Sequence, residues 1–198
     1  MKKVAVLASG SGSNFEAIAN AAQASDSPYE VVALITNRAD AFALERAKSL
    51  SIPSYTVLPN QFHNKVDYEQ DILAKLRAYD VDWIALAGYM RIVGPTLLEP
   101  FRNRIINVHP SLLPQFPGKD AIEQALAAGV SHTGVTVHYI DEGVDTGPMI
   151  AQQSISIAEF DTYNILQMKL REVEHILYPQ TLKHVIREDE LIEKNSVN

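Results

Sequence analysis

A doubly wound α/β sheet is the fold class that this sequence predicts, on three observations. Val4 to Ala8, Val31 to Thr36, Ile84 to Ala87 and Ile105 to Val108 are short, unbroken apolar runs, which suit strands buried on both faces of a mostly parallel sheet. Segments of helical spacing separate them, so the chain reads as successive right-handed strand–helix–strand units. At 198 residues and 46 % hydrophobic, it has the length of one domain with a sizeable core and is short for two.

Taken in order, helices are expected over Asn14 to Ala24, Ala41 to Leu50, Asp67 to Tyr79 and Pro95 to Phe101, with a further short strand in "SYTVL", Ser54 to Leu58. After Pro117 the pattern changes to one helix, Asp120 to Ala128, and then two alternating segments, Thr133 to Ile140 and Pro148 to Ile157. The turn-rich "DEGVDTG" between those two predicts an antiparallel pair. A long amphipathic helix from Thr162 to Ile186 closes the domain, with Asp161 as its N-cap and a kink at Pro179. The expected organisation is a single domain over 1–187 and a polar, frayed tail over 188–198.

Composition removes several functional classes. A formal charge of -7 argues against a nucleic-acid surface, which needs clustered Lys and Arg. Cysteine is absent, which excludes disulfides, thiolate nucleophiles and cysteine metal sites and is compatible with a cytoplasmic protein. The opening "MKKVAVLASGSGSN" begins like a leader, but its apolar run is short and ends in turn residues, so it is a first strand. No run is long enough to span a bilayer, and no His, Asp and Glu spacing suggests a metal site.

Two stretches carry chemistry. "ASGSGSNF", Ala8 to Phe15, follows the first strand and opens the first helix, a setting in which backbone N–H groups and the helix N-terminus receive an anion. The third glycine of the dinucleotide fingerprint is missing, and the second strand ends in Asn37 where a dinucleotide binder carries an acid. The stretch also suits a plain tight turn, with Ser13 or Asn14 capping the helix.

The other stretch is "NVHPSLLP", Asn107 to Pro114. Side chains alternate along a strand, so Asn107 and His109 share one side, beyond the carboxyl end where open parallel sheets bind ligands. An amide can donate to a developing oxyanion, and an imidazole can do so or carry a proton. Ser111 lacks the glycine-flanked elbow of a hydrolase nucleophile. A carboxylate from Asp141, Glu142 or Asp145 would favour the protonated imidazole, although acids and glycines are also ordinary hairpin residues.

Together "GSGSN", "NRADAFALERA", "LAGYMRIV", "INVHPSLLP", "TGVTVHYIDEGVDTGP" and "EHILYP" closely resemble phosphoribosylglycinamide formyltransferases, folate-dependent enzymes of purine biosynthesis. The resemblance runs from Lys3 to about Val185 and implies the formyltransferase fold. It also implies 10-formyltetrahydrofolate as donor and glycinamide ribonucleotide as acceptor, with no metal and no nucleic-acid or membrane partner. By position it assigns Asn107 and His109 to the oxyanion and Asp145 to His109 and proton movement. Gly12, Ser13 and Asn14 would hold the substrate phosphate, and Glu174 would meet the substrate amine or ribose.

For folate, the resemblance implies Lys65, the stretch Met90, Arg91, Ile92 and Val93, then Asn107, and the loop Asp141, Glu142, Gly143 and Val144. A cis Leu113–Pro114 peptide is expected with it. Outside the family match, Glu174 and Lys65 would be read as solvated charges. Many relatives carry a histidine-containing stretch after "FPG", whereas this chain has "KDAIEQAL", which makes Lys119 a candidate for the phosphate. A formyltetrahydrofolate deformylase using water in place of the amine is the nearer alternative. A dinucleotide-dependent oxidoreductase on the same sheet is the more distant one.

Overall fold

The computed structural model describes residues 1–196. Seven strands form one sheet in the order β3-β2-β1-β4-β5-β6-β7. They are β1 (Lys2–Ala8), β2 (Tyr29–Thr36), β3 (Ser54–Thr56), β4 (Trp83–Leu86), β5 (Ile105–His109), β6 (His132–Tyr139) and β7 (Met149–Ser156). The first five run parallel, while β5 with β6 and β6 with β7 pair antiparallel, as the change of pattern after Pro117 implies. Helices α1 (Ser13–Ala22), α2 (Ala43–Ser49), α3 (Lys65–Ala78), α4 (Pro95–Leu98), α5 (Ala121–Ala127) and α6 (Tyr163–Ser196) connect and cover the strands.

Strand alternation sorts the apolar residues into two cores. Val4, Val6 and Ala8 of β1 pack with Ile18 of α1 and with Leu170, Tyr178 and Leu182 of α6 on one face. Ala5 and Leu7 pack with Tyr68, Ile72 and Leu76 of α3 on the other. Both faces of β1 are thus covered, which is why its sequence has no polar interruption. The sheet order reverses beside β1, since the chain winds outward to β3 and returns to β4 on the other side. The crevice at the carboxyl ends of β1, β4 and β5 is where such a sheet receives ligands.

The fully buried Tyr178 of α6 reaches both β4 and β5. Its hydroxyl lies 3.0 Å from the Leu86 carbonyl and 2.9 Å from the Ile106 carbonyl, tying the ends of β4 and β5 one residue before Asn107.

Three local expectations change. Helix α1 is preceded by Gly12 in the left-handed region, with no side-chain cap, so neither Ser13 nor Asn14 caps it. At α6 the Thr162 hydroxyl accepts from the Ile165 N–H at 3.4 Å, while Asp161 accepts from the Ala158 N–H and from Lys169, so Asp161 is not the cap. The expected frayed tail continues α6 as helix to Ser196, and residues 197 and 198 lie outside the described residues. Glu193 on that last stretch accepts from Lys2 at 2.7 Å and from Arg104 at 3.0 Å, tethering the helix end to β1 and to the residue before β5. The helix passes through Pro179 without a break in its span. The Leu113–Pro114 peptide is cis, as the resemblance implies.

Candidate active site

At the carboxyl end of β5, Asn107 and His109 share the strand face of Ile105, and both line a cavity of about 680 Å³. His109 is 5 % exposed. Its Nε2 lies 2.8 Å from the Phe116 carbonyl, which can only accept, so Nε2 carries a hydrogen. Its Nδ1 lies 3.3 Å from Asp145 Oδ2. With an acceptor at each nitrogen, the doubly protonated ring satisfies both. The Asp145 contact is longer than the 2.7–2.9 Å usual for a charge-assisted bond, so the Nδ1 hydrogen is the less fully engaged of the two and can be shared with a second acceptor.

Asp145 stands in the left-handed backbone region, at a φ of 55°, on the loop joining β6 to β7. Its Oδ2 also accepts from the Gly118 N–H at 2.7 Å. Burial works to raise this carboxyl, but the His138 ring, the Gly118 N–H and the His109 ring outweigh burial and hold it below the ordinary carboxylate range. The "FPG" turn therefore brackets the pair from both sides, with the Phe116 carbonyl on His109 and the Gly118 N–H on Asp145.

His138 completes the cluster. It is fully buried on β6, and the antiparallel register places it directly opposite Asn107. Its Nδ1 lies 2.8 Å from the Tyr139 carbonyl and so carries a hydrogen; its Nε2 accepts from Asn107 Nδ2 at 3.2 Å when the ring is neutral and lies 3.5 Å from Asp145 Oδ1, to which it donates when the ring is charged. One amide hydrogen of Asn107 is thereby engaged, and the second is left for the cavity. Ser111 is fully buried and donates to the Gln115 carbonyl, which rules it out as a poised nucleophile.

The glycine-rich loop borders a second hollow of about 360 Å³, lined by Ser9 to Asn14 together with Arg38, Arg171 and Glu174. A Cβ at Gly12 would fall 2.6 Å from the Ala43 Cβ, so only glycine lets the loop approach α2 this closely. Asn14 Nδ2 donates to Glu174 Oε2 at 2.7 Å, and the Asn14 Oδ1 is buried without a partner. Glu174 is nine-tenths buried rather than solvated. Burial pushes its carboxyl up, against the opposing pull of the Asn14 bond and of the Arg171 charge.

Asn37 accepts from the Ser9 hydroxyl, and the same oxygen accepts from the Met90 N–H at 2.8 Å. The residue standing where a dinucleotide binder carries its acid is thus spent on bracing its own loop, which counts against the oxidoreductase alternative.

Met90, Arg91, Ile92 and Val93 line the larger cavity beside Asp141, Gly143 and Val144. Met90 and Ile92 are 65 % and 59 % exposed, an open apolar edge on a loop rather than core. Lys119 lines the same cavity. Lys65 begins α3 with its Nζ 3.7 Å from Glu69, and neither it nor Glu142 is part of the lining. The loop is held at its far end by the buried Glu69, which accepts from the Gly94 N–H at 2.6 Å. Arg171 borders both hollows and went unnoticed in the sequence, although it precedes Glu174 by three residues on α6, the spacing of one helix face. His138 shows in the sequence only as a histidine on an alternating segment.

A doubly wound sheet carrying an amide, an imidazole and a carboxylate around one cavity, with Ser111 turned to a backbone carbonyl, defines an enzyme of the acyl-transfer class. The formyl transferase family model matches residues 2–182, and the chain belongs to that family. It is 47 % identical over 186 residues to the phosphoribosylglycinamide formyltransferase of Bacillus subtilis (strain 168), spanning 94 % of this chain and 95 % of that one. The crystal structure of the phosphoribosylglycinamide formyltransferase of Bacillus halodurans superposes with a TM-score of 0.90 at 50 % identity, covering 93 % and 95 % of the two chains. Glycinamide ribonucleotide transformylase 1 of Geobacillus kaustophilus gives a TM-score of 0.91 at 50 % identity, covering 94 % of this chain and 99 % of that one.

Proposed function

We propose that this enzyme transfers the formyl group of 10-formyltetrahydrofolate to the amine of 5-phosphoribosylglycinamide, a step of purine biosynthesis, in the cytoplasm. The observation that carries the reading is the joining of Asn107, His109 and Asp145 with Asn14 and Glu174 in the lining of one cavity. The activity named for a relative at 47 % identity over nearly its full length supports it.

In this reading the substrate phosphate lies on the backbone of Gly12, Ser13 and Asn14 at the start of α1, with Arg171 adding positive charge. Glu174 faces the ribose and amine. The folate ring lies between the Met90–Val93 loop and the Asp141–Val144 loop. The amine attacks the formyl carbon, and the carbonyl oxygen becomes an oxyanion that the free Asn107 Nδ2 hydrogen and the His109 Nδ1 hydrogen stabilise. Because its carboxyl is held low, Asp145 acts first as the counter-charge of the imidazolium. It also relays the proton leaving the attacking nitrogen, directly or through a water. The bond from carbon to N10 then breaks as N10 takes up a proton, leaving tetrahydrofolate and the formylated amine.

Mixing the protein with both substrates and following tetrahydrofolate tests the reading. Release that depends on the ribonucleotide is the expected result. Equal release without it would convert the reading to hydrolysis, and no release would overturn it.

A further inference from the structure

The shape of the glycine-rich loop depends on α2, which contributes nothing to the lining of the hollow it borders. The Gly10 carbonyl accepts from the Ala43 N–H at 3.1 Å, and the Ser11 carbonyl accepts from Arg46 Nε at 2.8 Å. In a trans peptide the C=O and the following N–H point in opposite directions. Drawing those two carbonyls back onto α2 therefore turns the Ser11 and Gly12 N–H groups away from α2.

Arg46 makes two further contacts. Its Nη1 pairs with Glu16 of α1, and its guanidinium carbon lies 5.2 Å from the centroid of the Phe42 ring. Its side chain is only 25 % exposed. Burial and the Arg171 and Arg46 charges lower His175 of α6, against the opposing Glu16 charge.

We propose that Arg46 is a positioning residue for the loop, which holds the Ser11 carbonyl back so that successive backbone N–H groups stay aimed at a phosphate monoester. The inference rests on the loop receiving the ribose phosphate, and the test separates the two. Formyl transfer is measured for wild type, Arg46→Gln and Glu16→Gln with the ribonucleotide and with its dephosphorylated nucleoside. Wild type is expected to favour the phosphorylated form strongly. Arg46→Gln raises the ribonucleotide KM about tenfold, equivalent to ~1.4 kcal/mol, because one charge-assisted bond to a backbone carbonyl is lost. Its kcat, its donor KM and its activity on the nucleoside stay within about twofold.

Glu16→Gln leaves the bond from Arg46 to Ser11 intact, so its ribonucleotide KM stays within about threefold. An unchanged ribonucleotide KM in Arg46→Gln, an equal loss on both substrates, or an equal loss in Glu16→Gln would overturn the role of Arg46. A wild type that does not discriminate between the two substrates would overturn the phosphate reading itself.

Discussion

Asn107→Ala separates the catalytic use of the amide from its structural use, because its two hydrogens go to different places. One is fixed 3.2 Å from His138 Nε2, a buried acceptor, and the other faces the cavity. Losing an oxyanion donor costs about 100 to 1000-fold in kcat, or ~2.7–4 kcal/mol in the barrier. Leaving the buried Nε2 unsatisfied costs ~1–3 kcal/mol of stability. For a chain of this length each kcal/mol lowers Tm by about 2–4 °C. Steady-state kinetics should therefore show the kcat loss with the ribonucleotide KM within about threefold, and thermal unfolding should show a fall of several degrees. His138→Leu also removes the acceptor but takes a partner from the Tyr139 carbonyl and from Asp145, so in the Asn107→Ala background it should restore none of the rate. An Asn107→Ala enzyme with nearly full kcat would refute the oxyanion assignment, and recovery of the rate in the double variant would refute the division of labour.

Asp145→Asn keeps the shape but removes the charge facing His109 at 3.3 Å; kcat should fall at least about 100-fold in steady-state assays while the protein stays folded. Gly12→Ala, at a φ of +72° and with a Cβ 2.6 Å from that of Ala43, should raise the ribonucleotide KM at least about tenfold and lower Tm by several degrees, checked by kinetics and thermal unfolding. Glu174→Gln tests a pH dependence. Because burial raises the native carboxyl above its unfolded value, its contribution to stability is fully present below the ordinary carboxylate range and is lost as pH rises through the raised native value. The variant lacks that loss, so its Tm should exceed that of wild type at pH 8 and the gap should close toward pH 4.

How much of this molecule was legible in its sequence follows from the range of the interactions that fix each part. The parallel strands were legible because Val4 to Ala8 or Ile105 to Val108 must satisfy two buried faces at once, a constraint written within five residues. Asn107 and His109 were legible for the same local reason, since strand parity sends both to one side. The last turns of α6 were not. Their sequence is polar, and they are tethered by bonds such as Lys2 to Glu193, 191 residues apart.

The start of α1 failed in the same way. Asn14 has the chemistry of a cap, but the helix begins one residue earlier, behind Gly12, and Glu174, 160 residues later, holds the Asn14 side chain by its amide hydrogen, so the N–H groups of the first turn are left without a side-chain acceptor. That loss leaves the first turn with the donors that an anion at a helix start would need. His138 makes the same point about the catalytic end. Its value lies in standing opposite Asn107 across the junction of β5 and β6, and that register depends on a strand reversal 31 residues long. Local propensity therefore specifies the scaffold. The site arises where a distant partner overrides a local preference, drawing the Asn14 side chain to Glu174 and setting a strand histidine opposite Asn107.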